Sequence, residues 1–188
     1  MAGKSTYVGS LSPEYALLGL LAGGGAHGYE LHQKLSTDLG QIWHVSLSQT
    51  YNILNRLEEK GYINGEMQVQ EKLPPRRTFR LTPSGEERFE NWLHSVNAVS
   101  VKAIRVGFIT RLYFAQSIDP NLAQEILAIQ IKEIRKGVER LERIAEGFQS
   151  NEFNWLAINL RVNQLNTILS WLDECKSFLK NLTKGDRN

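Results

Sequence analysis

The chain has 188 residues, of which 41% are hydrophobic and 22% are charged, and its formal net charge is +2. These values are typical of a globular protein with one or two small domains. No apolar run approaches the roughly 18 residues needed to span a membrane, and the first residues lack the basic-then-apolar pattern of a leader. Because Cys175 is the single cysteine, no internal disulfide can form, and we expect a cytoplasmic protein.

Three helices are predicted in the first third of the chain, after an N-terminal arm over residues 1–11. The first helix begins with an N-cap, a proline at the first helical position and an acid in the first turn, in the order Ser12-Pro13-Glu14. The second helix extends from about Gly28 to Leu39. The third lies within the stretch from Val45 to Ile63.

The third helix has two faces with different chemistry. Ser46 and Gln49 have the spacing of a capping box at its start. At 100° per residue, the face suited for burial consists of Thr50, Ile53, Leu54 and Leu57. The opposite face, with Tyr51 at its border, carries short hydroxyl and amide side chains: Ser48, Gln49, Asn52 and Asn55. Such side chains suit a helix that lies against base edges in a DNA major groove, and the alternative is a solvated face without a partner.

A hairpin and a fourth helix are predicted after the third helix. Residues 66–70 and 78–82 alternate between polar and apolar side chains, as strands do. The connection between them is too long for a tight turn, and we expect its Pro74 and Pro75 to prevent ladder hydrogen bonding there. It also carries the only dense basic cluster in the first half of the chain: Lys72, Arg76 and Arg77. The order of elements predicts a winged helix-turn-helix, in which the third helix enters a major groove while the hairpin contacts phosphates.

From about residue 107 the chain has the period of helices. Apolar residues step alternately by four and three from Leu127 to Phe148, and they do nearly the same from Ile158 to Leu182. A small domain cannot bury both stripes, so we expect two long helices that pack on each other and on a second copy of the chain. The predicted fold is mainly α with a small β-hairpin. Its parts are a winged helix-turn-helix domain (12–95), a linker (96–106), a helical dimerisation domain (107–184) and a tail (185–188).

The first half of the chain resembles the PadR family of bacterial transcription regulators over about residues 12–95. The stretches that carry the resemblance are HGYEL (His27 to Leu31), the spacing of Tyr51, Leu54 and Leu57, EEKGYI (Glu58 to Ile63) and RRTFRLTPSG (Arg76 to Gly85). By position, Tyr51 would be the recognition-helix tyrosine that contacts the DNA backbone, and Arg76 and Arg77 would be the wing cations. Phe79 stands where family members often have tyrosine.

The resemblance also implies a mode of action. Larger family members have a helical C-terminal dimerisation region and typically repress genes for phenolic-acid detoxification or drug efflux, releasing their DNA operator when a small molecule binds. No cofactor is implied. A planar aromatic effector would stack on tryptophan rings, and the candidates are Trp92, Trp155 and Trp171. The alternative is that these rings belong to the core.

Catalysis and metal binding are not predicted. The four histidines lack metal-ligand spacing, and Cys175 lies in an apolar stripe, where a thiol is typically a core residue. The more serious alternative is a winged helix that binds another protein, because residues 1–95 hold 9 Lys and Arg against 10 Asp and Glu. A strong salt dependence of duplex binding would favour DNA, since phosphate contacts release counterions.

Overall fold

The computed structural model describes residues 12–70 and 73–185, with side chains described for 12–67 and 77–181. The arm predicted over 1–11 and most of the predicted tail lie outside these residues. The chain divides into two compact units, Met1–Ser95 and Val96–Asn188. The described part is helical apart from one small sheet, which confirms the predicted fold class. None of its helices is long and apolar enough to cross a membrane.

The N-terminal unit has the predicted order of three helices, a hairpin and a fourth helix. Its elements are α1 (Glu14–Ala22), β1 (Ala26–His27), α2 (Gly28–Asp38), α3 (Leu47–Glu59), β2 (Ile63–Gln70), β3 (Leu73–Leu81) and α4 (Pro83–Leu93). Helix α1 is apolar around most of its circumference and contacts α2, α3 and α4. Fully buried side chains from several elements surround it, among them Leu31, Leu54, Phe79 and Phe89. This arrangement is a winged helix-turn-helix.

The sheet has the strand order β1-β3-β2 with antiparallel pairing throughout. The short strand β1 was not predicted. Strand β3 already begins at Leu73, so the predicted connection is shorter than expected, but the register pairs neither Pro74 nor Pro75 and shifts between Gln68 and Gln70. Strand β1 pairs only with Thr78 and Phe79, so within the described residues one edge of β3 has no neighbouring strand at the prolines. Proline is tolerated at such an edge, since no ladder hydrogen bond is lost there.

The C-terminal unit consists of a π-helical turn (Ala103–Phe108) followed by α5 (Ile109–Ile118), α6 (Pro120–Ala145) and α7 (Phe153–Gly185). The two long helices and their apolar stripes were predicted, and α6 and α7 pack against each other. Five stripe residues of α6 are buried: Leu127, Ile131, Ile134, Val138 and Leu141. Those of α7 include Leu165, Leu172 and Leu179, each at most 3% exposed.

Residues 96–106, which we expected to be a linker, instead form part of the C-terminal unit. Asn97 is 1% exposed, and its backbone N–H donates to Gln130 Oε1 at 3.1 Å while Gln130 Nε2 donates to the Asn97 carbonyl at 3.3 Å. The Arg111 guanidinium donates to Asn97 Oδ1. Burial lowers the pKa of Arg111 to about 10, so this side chain stays charged at neutral pH. Hydrogen bonds between residues so distant in sequence have no periodicity, which is why the pattern did not reveal them.

Candidate nucleic-acid interface

The start of α3 is fixed by the predicted capping box. Ser46 Oγ accepts from the Gln49 backbone N–H at 3.2 Å, and Gln49 Oε1 accepts from the Ser46 backbone N–H at 2.9 Å. The hydroxyl of Thr50 donates to the Ser46 carbonyl at 3.1 Å. These bonds satisfy backbone groups that a helix end otherwise leaves without partners. The first turn of α3, the end that would meet bases, is therefore held in one conformation.

The two faces of α3 are arranged as predicted. Thr50, Ile53, Leu54 and Leu57 are buried, whereas all four polar residues of the opposite face are exposed: Ser48, Gln49, Asn52 and Asn55. The amide oxygen of Gln49 already accepts a hydrogen bond in the capping box. Its amide nitrogen therefore remains available to donate to a base. Asn52 and Asn55 each offer both a donor and an acceptor, as bidentate pairing with adenine requires.

Tyr51 belongs to α3, is 38% exposed, and directs its ring toward the beginning of α2. Its ring covers Gly28, where an added Cβ would lie 2.6 Å from Tyr51 Cε1. Glycine is therefore required for this close approach. Tyr51 also lines a groove of about 560 Å³ together with residues of α2 and with Arg77. The phenol is thus placed beside the N-terminal end of a helix, where backbone N–H groups attract anions such as phosphate.

The three predicted wing cations differ in what the structure shows of them. The side chains of Lys72 and Arg76 lie outside the described residues. Arg77 Nη2 lies 2.7 Å from both carboxylate oxygens of Glu58, a residue 19 positions earlier in the chain. The hairpin register brings residue 77 against the end of α3, which sequence spacing does not reveal.

A second ion-pair cluster joins α1, α3 and α4 on another side of the N-terminal unit. The Glu14 carboxylate, 7% exposed, accepts from Arg56 Nε at 2.7 Å and lies 3.6 Å from Arg88 Nη2. The Arg88 guanidinium also lies 4.6 Å from the centre of the Tyr62 ring. A buried carboxylate must be paired, so we infer that these two arginines hold the helices together.

The predicted effector tryptophans are distributed over both units. Trp92 is 5% exposed, and its ring stacks on Tyr15 at 4.9 Å with an interplanar angle of 8°, which makes it part of the N-terminal core. Trp155 and Trp171 are half-buried on α7. They lie about 24 Å apart and about 160° around the helix axis, given 1.5 Å and 100° per residue. Within one chain, a single small molecule therefore cannot contact both rings.

The described residues contain no group of three His, Cys, Asp or Glu side chains that could hold a metal ion. Burial raises the pKa of the Cys175 thiol to about 11, so the nucleophilic thiolate is scarce at neutral pH. This agrees with the interpretation of Cys175 as a packing residue of α7.

Comparison with known proteins finds a family match within the N-terminal unit. Residues 17–91, which include α2, α3, the hairpin and most of α4, match the family model described as the transcriptional regulator PadR-like family. The match covers most of the N-terminal unit. PadR-like proteins are DNA-binding transcriptional regulators, which confirms the resemblance found in the sequence and the expectation that the chain is not an enzyme.

Similarity to relatives extends beyond the winged helix. The negative transcriptional regulator PadR of Bacillus subtilis (strain 168) is 25% identical over 170 residues, which cover 85% of this chain and 93% of that protein. The crystal structure of B. subtilis PadR in complex with operator DNA covers 88% of this chain and 98% of that chain, at 22% identity and a TM-score of 0.45. The structure of the same protein with p-coumaric acid covers 89% and 98%, at 22% identity and a TM-score of 0.39.

Two residues at the interface were missed in the sequence. The Glu58 carboxylate accepts from Arg77 and from the Gly65 backbone N–H, yet neither Glu58 nor Gly65 belongs to the polar face or to the basic cluster. The only signal was that Glu58 lies at the end of α3, close to where the chain enters β2.

The exposed amide of Asn52 provides a test of base recognition by α3. We expect Asn52→Ala to cost about 1–3 kcal/mol of binding free energy on a specific duplex and little on random DNA, because the amide's contact is with base edges. Asn91→Ala, which removes an exposed amide from α4, is the matched control. Competition titrations with both duplexes measure the effect. An equal loss on specific and random DNA would exclude base recognition by Asn52.

Proposed function

We propose that the protein is a homodimeric, sequence-specific repressor that leaves its operator when a small aromatic or phenolic molecule binds. In this proposal Ser48, Gln49, Asn52 and Asn55 contact bases. Tyr51 and the wing residues Lys72 and Arg76 contact phosphates. The similarity to a negative transcriptional regulator supports repression over activation. The observation that supports dimerisation most strongly is an apolar stripe on the solvent side of α7.

This stripe lies on the side of α7 that faces away from α6. Its large apolar side chains are Phe153, Leu156, Leu160 and Phe178, which are 88%, 58%, 58% and 64% exposed. Phe153, Leu156 and Leu160 follow one another by three and four residues, the spacing of a seam between helices, and the same spacing continues to the polar Asn163 and Thr167. A row of exposed leucine and phenylalanine is costly in water and marks a protein interface. We call residues 153, 156, 160 and 178 the outer stripe.

A second copy is the partner that we propose for the outer stripe. Most soluble oligomers are symmetric homo-oligomers, and a two-fold dimer uses the same surface on both copies. Two-fold symmetry also supplies two copies of α3, as a pseudopalindromic operator requires. A dimer that binds both half-sites at once therefore has a higher affinity for the operator than a single copy bound to one half-site.

Leu160→Glu tests the dimer. A carboxylate in an apolar seam is costly to bury, so we expect a monomer at micromolar concentration. Because a monomer binds one half-site, affinity for a two-half-site duplex should fall by about 100-fold, as expected when bivalency is lost. Asn166→Glu is the matched control, since position 166 is exposed on the same helix about 120° away from position 160. Sedimentation measures the oligomeric state, and duplex titration measures the affinity. A dimeric Leu160→Glu protein with wild-type affinity would exclude the outer stripe as the interface.

A panel of phenolic acids that includes p-coumaric acid tests the effector. We expect at least one compound to change tryptophan emission and to weaken duplex binding over the same concentration range, because a ligand shifts an equilibrium only through differential affinity. Trp155→Phe and Trp171→Phe, made separately, identify the reporting ring. Because Trp155 and Trp171 are too far apart to contact one small molecule, we expect only one of the two variants to lose the change in emission. Unchanged emission and affinity across the panel, or a response that survives in both variants, would contradict the proposed role of these rings.

A further inference from the structure

One carboxylate at the end of α3 contacts both strands of the wing. Glu58 Oε1 accepts from the Gly65 backbone N–H of β2 at 2.9 Å. Both carboxylate oxygens accept from Arg77 Nη2 of β3 at 2.7 Å. The Glu58 side chain is 24% exposed and that of Arg77 is 42% exposed, so only the carboxylate side of the contact is partly shielded from water and salt. We call Glu58, Gly65 and Arg77 the wing clamp.

The wing clamp has room only because residue 65 is glycine. A Cβ at this position would lie 2.5 Å from Arg77 Nε and 2.9 Å from Glu58 Oε1. The Arg77 guanidinium also lies 5.3 Å from the centre of the Phe79 ring, which is fully buried. The cation therefore has a carboxylate and an aromatic ring as neighbours, and both favour this position of its side chain.

The backbone at residue 77 is linked to α2 as well. The Arg77 carbonyl lies 3.1 Å from His27 Nδ1, and Thr78 Oγ1 lies 3.2 Å from the same nitrogen. His27 immediately precedes α2, and its backbone N–H donates to Glu30 Oε2 at 2.9 Å. Residue 77 is thus the point at which the hairpin is joined to both helices of the helix-turn-helix.

We propose that Glu58 is a positioning residue for DNA binding: through Gly65 and Arg77 it fixes the angle between the wing and α3. From Gly65 to the end of β2 at Gln70 the strand extends about 17 Å, at about 3.4 Å per residue. A tilt of about 10° at the wing clamp would move that end by about 3 Å over this length. Such a shift is as long as a hydrogen bond, enough to separate a wing donor from its phosphate.

The proposal and the simpler role of Arg77 as a phosphate ligand predict opposite results for one substitution. If Arg77 bound a phosphate, the Glu58 carboxylate would compete with it, and removing that charge would strengthen DNA binding. If Glu58 positions the wing, removing the charge weakens DNA binding even though the protein becomes more positive. The sign of the change in affinity separates the two roles.

The test uses the full chain and a duplex that the wild-type protein selects from random-sequence DNA. We expect Glu58→Gln to weaken binding about tenfold, the scale of one charge-assisted hydrogen bond. Hydroxyl-radical protection of the sugars beside the wing should be lost, while the base preferences set by α3 are kept. Glu59→Gln is the matched control, because it removes the same charge from the neighbouring, exposed position of α3. It should bind as tightly as the wild type or slightly more tightly.

Two further measurements read the wing clamp itself. Amide hydrogen exchange at Gly65, measured without DNA, should be faster in Glu58→Gln than in Glu59→Gln. This result does not depend on DNA binding, so failure of the wing clamp is distinguishable from failure of the proposed regulator function. Arg77→Gln should weaken duplex binding as Glu58→Gln does, and the double variant should be no weaker than either single variant, because the two residues act as one unit. Tighter duplex binding by Glu58→Gln, or identical behaviour of Glu58→Gln and Glu59→Gln, would overturn the proposal.

Discussion

The packing of α3 is the constraint on which the N-terminal unit depends. Leu54 and Leu57 are fully buried, and burial of such a side chain contributes about 2 kcal/mol. The hydroxyl of Thr50 on the same face is fully buried and lies 3.2 Å from His32 Nδ1 on α2. With one face fixed in this way, the opposite face can only point outward. The polar side chains that would contact bases are therefore held by the core and not by a flexible loop.

Ion pairing inside the N-terminal unit determines how this protein can bind a polyanion. Arg56 and Arg88 are directed to Glu14, and Arg77 is directed to Glu58. These cations stabilise the positions of helices and strands, so they contribute little to a general attraction for phosphate. In the proposed function, affinity for DNA then depends on a few well-placed contacts and on their repetition in the proposed dimer. In the same proposal, the wing supplies such contacts and the outer stripe of α7 supplies the dimer interface.

The sequence predicted those features that depend on local spacing. The capping box at Ser46, the two faces of α3 and the long helices of the C-terminal unit are all encoded within about two turns of helix. The features that it did not predict depend on contacts between distant residues. The pair of Glu58 and Arg77 requires the hairpin register, and the bonds between Asn97 and Gln130 require a folded C-terminal unit. The outer stripe was overlooked for another reason, because α7 has apolar residues on two sides and the inner stripe is the more regular one.

Salt dependence of binding to the selected duplex tests most directly whether the N-terminal unit is a DNA-binding domain. A DNA-binding winged helix predicts that log K falls linearly with log salt concentration, with a slope of about −0.9 for each phosphate contact. Replacing Lys72 and Arg76 together by alanine should make the slope shallower by about two units for each protomer, since both wing contacts would be lost. An affinity that does not change with salt, or a slope that the double replacement leaves unaltered, would contradict phosphate binding by the wing and favour a protein partner for this surface.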